Sequence, residues 1–289
     1  MSGARYRLAV RVTRFADAAS FLAAAEAFMA EREALHNLPL GVARARRDVP
    51  GRHPEKNYFA VVEDGAGIAG VAVMTPPHMV ICYVPPGPAI DAIADHLAAT
   101  EWSPPGVHGP VGASDAFAAA WCARRGVRAE LEMDLRAFEL TKTIPAPSVP
   151  GRKRAAVEAD LPLVETWYRA FNADAKIAPS SSTAEEMARR AVGDRRVFLW
   201  DDGGPVSQTA FIGTTPNGVR IGAVYTPDHL RRRGYATALV AAVSQRALDD
   251  GKRFCFLFTD LSNPISNSIY PKVGYRAVRD YRDFAFHAD

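Results

Sequence analysis

The sequence is poor in cysteine, and the few cysteines it has are isolated from one another. Its 289 residues contain Cys82, Cys122 and Cys255, which show none of the paired spacings of a metal site or a disulfide framework. We therefore expect buried structural thiols in a reducing cytoplasm, with no metal bound and with a nucleophilic cysteine as the alternative.

Long apolar runs and a large excess of one charge are also missing. The richest apolar run, residues 21–30, carries Glu26 in its middle, whereas a helix that spans a bilayer needs about 20 apolar residues. The net charge is +3, and Lys and Arg are scattered apart from short runs at 44–47 and 231–233. These absences predict no membrane span, no signal peptide and no nucleic-acid partner.

Length and one composition break predict the domain organisation. At about 100–200 residues per domain, the chain is long enough for two. Three prolines between positions 145 and 150 exclude a helix and favour an extended, exposed segment. The prediction is a domain at 1–142, a linker at 143–151 and a domain at 152–289.

The second half reads as a mixture of helices and strands. Three strand-like runs separated by Gly- and Pro-rich turns predict an antiparallel meander. The helix that joins the third run to the next strand predicts a parallel pairing by right-handed crossover. The first half gives a similar but poorer series, which predicts two copies of one fold. In the second half the runs are 197–201, 206–213 and 219–226, followed by a helix at 232–250, a strand at 253–259, a helix at 264–272 and a strand at 275–286; the first half begins with a strand at 6–12 and a helix at 17–34.

The loop after Thr226 combines positive charge with small residues. It holds three arginines at 231–233, and Gly234 and Ala236 then let an anionic group approach the backbone closely. The unpaired N–H groups at the start of the following helix are suited to bind a pyrophosphate. The alternatives are a solvated basic turn and, less well matched, a Rossmann dinucleotide loop, of whose three glycines only one is in place.

With the stretch that follows, this loop resembles the GNAT superfamily of N-acetyltransferases. The family's coenzyme A loop, [Arg/Gln]-x-x-Gly-x-[Gly/Ala], is matched by Arg231, Gly234 and Ala236. Its second pattern, Asn-x-x-Ala-x-x-x-Tyr-x-x-x-Gly-[Phe/Tyr], is matched from Asn263 to Tyr275, with Ser266 in place of the small alanine.

The resemblance implies an α/β (α+β) fold of two GNAT-like domains. In each, a mixed, mostly antiparallel sheet is flanked by helices and has a splayed central strand pair, and the pantetheine arm of coenzyme A lies in that gap. In that family Asn263 would contact the pantetheine amides and Tyr270 would protonate the leaving sulfur. Tyr270 could instead be a core-packing aromatic. The implied cofactor-binding residues are Val224, Tyr225, Thr226, Arg231, Arg232, Arg233, Gly234, Tyr235, Ala236 and Asn263.

The expected function is transfer of an acyl group, acetyl first, from acetyl-CoA to a primary amine on a small molecule, peptide or protein. A module that binds coenzyme A as a metabolic signal without transfer is the alternative. The base that takes the acceptor's proton is open, with Asp260, Glu165, Asp174 or a water relay as candidates. The acceptor, the acyl chain length and the oligomeric state are also open.

The first half lacks both motifs. Where the loop is expected, residues 85–88 read Pro-Pro-Gly-Pro, which leaves few N–H donors. Residues 109–121 lack the asparagine and the tyrosine. The first domain is therefore expected to be a degenerate copy that binds no coenzyme A.

Overall fold

The structure is a computed structural model, and it describes residues 10–49, 56–146, 148–175 and 183–288, without the side chains of residues 265 and 266. The chain divides into two compact units. Unit 1 comprises Met1–Leu135 together with Asp280–Asp289, and unit 2 comprises Arg136–Arg279.

The described residues of unit 1 form four α-helices, and local chemistry explains how some of them begin. Helix α1 is capped by Asp17, whose carboxylate accepts a hydrogen bond from the backbone N–H of Ser20 at 2.8 Å. Helix α3 has a proline in its first turn, where a missing N–H costs no hydrogen bond. The helices are α1 Ala18–Glu31, α2 Glu33–Asp48, α3 Pro88–Ala98 and α4 Ala113–Arg125.

The sheet of unit 1 has the strand order β1-β2-β3-β4-β5-β12-β6. Strands β4 and β5 are parallel, and the other registered pairs are antiparallel. The last strand pairs with β5 through Tyr281 and Pro110. The side chain of His108 on β5 bonds Asp283 at 2.6 Å, which fixes this pairing. The strands are β1 Arg11–Phe15, β2 Tyr58–Asp64, β3 Gly67–Met74, β4 Val80–Tyr83, β5 Gly106–Pro110, the part of β6 (Val127–Leu140) up to Leu135 and the part of β12 (Arg276–Ala288) from Asp280.

Unit 2 repeats this order as β7-β8-β9-β10-β11-β6-β12. Strands β8 to β10 form the predicted antiparallel meander, which β7 extends by one antiparallel strand, and β10 and β11 pair in parallel as predicted. The new elements are β7 Arg152–Ala155, α5 Leu161–Asp174, α6 Ala184–Gly193, β8 Val197–Asp201, β9 Pro205–Thr214, β10 Gly218–Tyr225, α7 Tyr235–Asp249, β11 Phe254–Asp260 and α8 Pro264–Val273.

Both faces of the unit 2 sheet carry an apolar core. One core contains residues of α7 and α8, including Leu239 and Val273. The other contains residues of α5 and α6, including Trp167 and Val192. Helices thus flank the sheet on both sides, as the predicted fold class requires.

The division into units differs from the predicted boundaries of 1–142 and 152–289. The predicted linker at 143–151, of which residue 147 lies outside the described part, belongs to unit 2 and is bonded to it. The N–H of Ile144 donates to Val273 O at 2.7 Å, and the indole N–H of Trp200 donates to Pro150 O at 2.8 Å. Prolines exclude a helix, but they do not decide whether an extended segment is docked.

Two local predictions in unit 1 also need correction. The single helix predicted at 17–34 is broken at Arg32, and a second helix, α2, begins at Glu33 and continues through Pro39. The first strand begins at Arg11, and residues 6–9 of the predicted strand lie outside the described part of the chain. Within the described ranges, no helix is both long and apolar enough to cross a bilayer.

Candidate active site in unit 2

Strand β10 contains a bulge close to its end. Gly222 pairs with Ala210 and Tyr225 pairs with Gln208, so Ala223 and Val224 together oppose one residue of β9. Ala223 has a φ of 51°, which is rare outside glycine. The hydroxyl of the opposing Thr209 donates to Gly222 O at 3.0 Å and replaces a missing ladder bond.

The bulge changes the face to which the end of β10 points. Before it, Val219 and Ile221 pack in the core beside α7. After it, Ala223 and Tyr225 pack in the core beside α5. Because side chains alternate along a strand, one extra residue moves every later side chain to the opposite face. Tyr225 is therefore directed to the α5 face.

The two parallel strands separate at the same end. Their register pairs stop at Arg220 and Phe256, although β10 continues to Tyr225 and β11 to Asp260. This is the splayed pair that the resemblance implies. Val224 and Tyr225 lie in the stretch of β10 that has no register pair with β11, and Thr226 follows directly after the strand. All three residues are half-buried.

The loop after β10 delivers the start of α7 to this region. Arg232 has a φ of 65° and Gly234 one of 86°, so the chain turns twice through left-handed backbone before α7 begins at Tyr235. The N-cap residue Gly234 has no side chain with which to cap the helix, whose first N–H groups are suited to an anionic ligand. A Cβ atom at Gly234 would lie 3.0 Å from Val149 Cγ1, so the turn also has little space for a side chain.

The three arginines of the loop have different surroundings. Arg231 donates to Thr226 O at 2.9 Å and pairs with Asp174 and Asp228 at 2.8 Å each. Its guanidinium also lies 5.9 Å from the centre of the Tyr225 ring. Arg231 therefore holds the loop against β10, whereas Arg232 and Arg233 are exposed and better placed to supply charge.

The remaining loop residues present backbone rather than side chains. Tyr235 is buried, and its hydroxyl donates to the Asp202 carboxylate at 2.6 Å, which raises the pKa of the phenol. Its side chain thus anchors the first turn of α7. Ala236 lies half-buried in that turn, so its small side chain leaves the helix start open to a ligand.

Asn263 directly precedes α8 and is exposed. Its carbonyl accepts the N–H of Asn267, the first bond of the helix, and its own N–H donates to Asp260 O at 3.1 Å. The side chain of Asn267 donates to Asp260 O and to Leu261 O, at 3.1 Å each, and so fastens the end of β11 to α8. The side chain of Ser266 lies outside the described part.

Tyr270 lies on α8 with 7% of its surface exposed. Its ring packs 5.9 Å from that of Phe138 and 6.0 Å from that of Tyr275. Burial raises the pKa of Tyr270 to about 12, so the phenol stays protonated at neutral pH. This placement suits both a proton donor and a core aromatic.

The three candidate bases are all engaged elsewhere. Asp260 accepts the N–H and the hydroxyl of Ser262, both at 2.7 Å. Glu165 pairs with Arg189 at 3.4 Å, and Asp174 pairs with Arg231. None of these contacts singles out one carboxylate, so the base stays unassigned.

In unit 1 the corresponding parallel pair stays closed. Its register pairs end at Ile81 and His108, and the next residue of β5 is Gly109. A Cβ atom there would lie 2.5 Å from Cys82 O, so glycine lets the two backbones remain in contact. The loop that follows β4 contains Gly87, which has a positive φ, and prolines stand on both sides of this glycine.

Comparisons with known proteins agree with this architecture. Residues 206–283, which contain both motifs, match the family model described as FR47-like protein. No curated protein matches the sequence significantly. Among solved structures, a tandem GNAT protein from the clavulanic acid biosynthesis pathway is 14% identical with a TM-score of 0.56, over 96% of this chain and 98% of its own.

Two further structures have the same architecture over nearly the whole chain. A GCN5-related N-acetyltransferase from Sphaerobacter thermophilus is 21% identical with a TM-score of 0.56, over 95% of this chain and 94% of its own. A Drosophila protein is 12% identical with a TM-score of 0.68, over 96% and 98%. The chain has the tandem GNAT fold. The resemblance that the two motifs carried is thus confirmed at the level of the fold.

Some contacts around the candidate site gave no signal in the sequence. Asp174, which fixes Arg231, lies 57 positions before it, and Asp202, which fixes Tyr235, lies 33 before it. Gln208 reads as an ordinary strand residue, yet it is fully buried. Only the polar run 207–209 inside an otherwise apolar strand hints at these roles.

Proposed function

We propose that unit 2 binds acetyl-CoA and transfers its acetyl group to a primary amine. The observation that carries this proposal is the separation of β10 from β11 beside the uncapped start of α7. Together they offer a gap for an extended arm and N–H donors for a pyrophosphate. The GNAT fold and the two matched motifs support the same proposal.

The residues present fit the cofactor in three places. The N–H groups of 234–236, with Arg232 and Arg233, would bind the pyrophosphate. The backbone of Val224, Tyr225 and Thr226, which lies beyond the last register pair with β11, would bond the pantetheine arm, which Asn263 would contact from α8. Acetyl-CoA supplies the thioester carbonyl carbon that the amine attacks.

The chain's own groups would then complete the transfer. The amine nitrogen forms a bond to the carbonyl carbon as the carbon–sulfur bond breaks. A backbone N–H at Val224 or Tyr225 would hold the negative charge that develops on the carbonyl oxygen. Tyr270 would give its proton to the departing sulfur, and the proton lost from the nitrogen would restore the phenol by way of the unassigned base.

The pKa of Tyr270, which burial raises to about 12, affects how readily the phenol gives up its proton. A free thiol has a pKa of about 8.5, so the phenol would not protonate a fully formed thiolate favourably. The proton transfer is therefore uphill, and it is least unfavourable once the carbon–sulfur bond has broken and the sulfur carries its full negative charge. The raised pKa also means that the donor keeps its proton across the neutral and mildly alkaline range.

The acyl group, the acceptor and the cellular location are parts of the same proposal. Acetyl is the expected acyl group, and the acceptor is an amine on a small molecule, peptide or protein. We propose a cytoplasmic location because none of the three cysteines forms a disulfide bond in the part of the chain that the structure describes, with Cys82 and Cys255 buried and Cys122 half-buried. The described residues contain no group of three or more His, Cys, Asp or Glu placed to hold a metal ion.

The experiment is incubation with acetyl-CoA and a panel of primary amines, with free thiol followed over time and acetyl-CoA binding measured by calorimetry. We expect acetyl-CoA to bind and at least one amine to release thiol faster than water does. Tight binding without turnover on any amine would favour a coenzyme A sensor instead. Absence of binding would refute both.

A further inference from the structure

Gln208 is a buried amide without a use in the fold. Its side chain is fully buried on β9, and neither Oε1 nor Nε2 has a hydrogen-bond partner within the part of the chain that the structure describes. Buried polar side chains are nearly always bonded, because an unpaired one loses its bonds to water and gains none. An amide with both ends unpaired therefore calls for a partner from outside the fold.

The two polar neighbours of Gln208 do have partners. The hydroxyl of Ser207 donates to Tyr225 O at 3.1 Å, and that of Thr209 donates to Gly222 O at 3.0 Å. Both support the bulge of β10. Since side chains alternate along a strand, Gln208 points to the opposite face from these two. The bulge thus explains two residues of the polar run and leaves Gln208 unexplained.

The unpaired amide lies next to the proposed transfer site. Gln208 is the register partner of Tyr225, and directly opposed Cβ atoms in such pairs lie about 5 Å apart on one face. The Tyr225 ring is half-buried, and it lies 6.0 Å from the ring of Trp167. Because the Gln208 amide has no exposed surface of its own, a ligand group would reach it only where the half-buried Tyr225 ring moves aside.

We propose that Gln208 recognises the acceptor, and that the acceptor is an amine with a carboxamide or peptide bond next to it. This inference rests on the function proposed above. The Gln208 amide offers one donor and one acceptor group, and a second amide complements both at once. A carboxylate would leave Oε1 unpaired, and an apolar group would leave both atoms unpaired.

Three amines of the same shape test the inference. Alaninamide carries the carboxamide, alanine carries a carboxylate in its place, and 3-methylbutan-2-amine carries an isopropyl group there. We expect the wild-type protein to favour alaninamide over 3-methylbutan-2-amine by about tenfold to a hundredfold in kcat/KM, the range that two hydrogen bonds supply. Alanine should fall between them.

Gln208→Met removes the amide at nearly constant volume. We expect the variant to lose the preference for alaninamide through a higher KM for that amine, with the KM for acetyl-CoA unchanged. Its unfolding temperature should rise, because an unpaired buried amide has been removed. Gln245→Met is the matched control, since Gln245 is exposed on α7, and it should retain the preference.

Each outcome decides the inference. A wild-type protein that acetylates all three amines alike, or a Gln208→Met variant that keeps the preference, would overturn it and leave internal water as the partner of the amide. If acetyl-CoA binds but no amine is acetylated, the proposed enzyme activity fails. Thermal shift with coenzyme A bound then decides: alaninamide must stabilise the wild type more than 3-methylbutan-2-amine does, and Gln208→Met must abolish that difference.

Discussion

Strands β4–β5 of unit 1 and β10–β11 of unit 2 occupy the same place in the strand order, but they separate differently. Beyond the last register pair, β5 has Gly109 in contact with Cys82 O, whereas β11 has Leu257. Beyond Arg220, β10 bulges and leaves its partner. One repeat of the fold can thus keep the strand order while closing the gap that the proposed cofactor site requires.

The loops that follow β4 and β10 also differ between the two units. Each contains a glycine with positive φ directly before a helix, Gly87 before α3 and Gly234 before α7. Prolines flank Gly87, whereas Gly234 is flanked by arginines and by other residues that carry a backbone N–H. The shared turn is therefore a property of the fold, and the charge and the donors are what unit 2 adds.

The sharpest test of this comparison changes Tyr270, since residues 109–121 of unit 1 contain no tyrosine. Tyr270→Phe should lower kcat by about 100- to 1000-fold, the usual contribution of a positioned acid. The Kd for acetyl-CoA should stay within about twofold, because the proposed phenol contact forms chiefly as the bond to sulfur breaks. Steady-state kinetics and calorimetry measure the two effects separately.

Tyr275→Phe is the control for that change. Its hydroxyl is buried and bonds Ser244 Oγ at 2.8 Å, so its loss should cost about 1 kcal/mol of unfolding free energy and leave kcat unchanged. Equal losses of kcat in the two variants would show that the loss follows from deleting any buried hydroxyl in this core and not from removing a proton donor.

The second test compares the two glycines. Gly234→Val should weaken acetyl-CoA binding by about 100-fold, or about 2.7 kcal/mol, because a branched side chain strains the turn and crowds the N–H groups beside it. Gly87→Val places a branched side chain at another glycine with positive φ, in unit 1, and should leave that binding unchanged. Calorimetric titration of both variants checks this. Equal weakening would mean that unit 1 takes part in binding.

The third test opens the closed pair of unit 1. Gly109→Ala places a Cβ atom against Cys82 O and should lower the unfolding free energy by about 1–3 kcal/mol. Acetyl-CoA affinity should not change. Gly193→Ala, on α6 with no atom within 4 Å of the added carbon, should be neutral or slightly stabilising. Urea unfolding measures both, and a Gly109→Ala protein as stable as the wild type would contradict the close approach.

How much of this was visible in the sequence depends on whether the signal was local. Turn residues such as Gly203, Gly204 and Asn217 separated the strands correctly, and Arg231 with Gly234 marked the loop. The bulge at Ala223 has no local signal, since alanine is an unusual residue for positive φ. The assignment of β6 and β12 to the units depends on partners more than 100 residues away, which no periodicity reveals. Gln208 became a candidate only once its surroundings were known, and Asp174, a candidate base from the sequence, proved to hold Arg231.

The membership of Asp280–Asp289 in unit 1 has a consequence for the order of events during synthesis. Domains generally fold from the N-terminal end as the chain leaves the ribosome. Here Tyr281 donates to Leu35 O at 3.0 Å, and Arg282 pairs with Asp115 and Asp134, at 3.0 and 2.9 Å. The first unit to be translated therefore cannot finish its sheet until all of the second has emerged, so unit 1 is the later of the two to be completed.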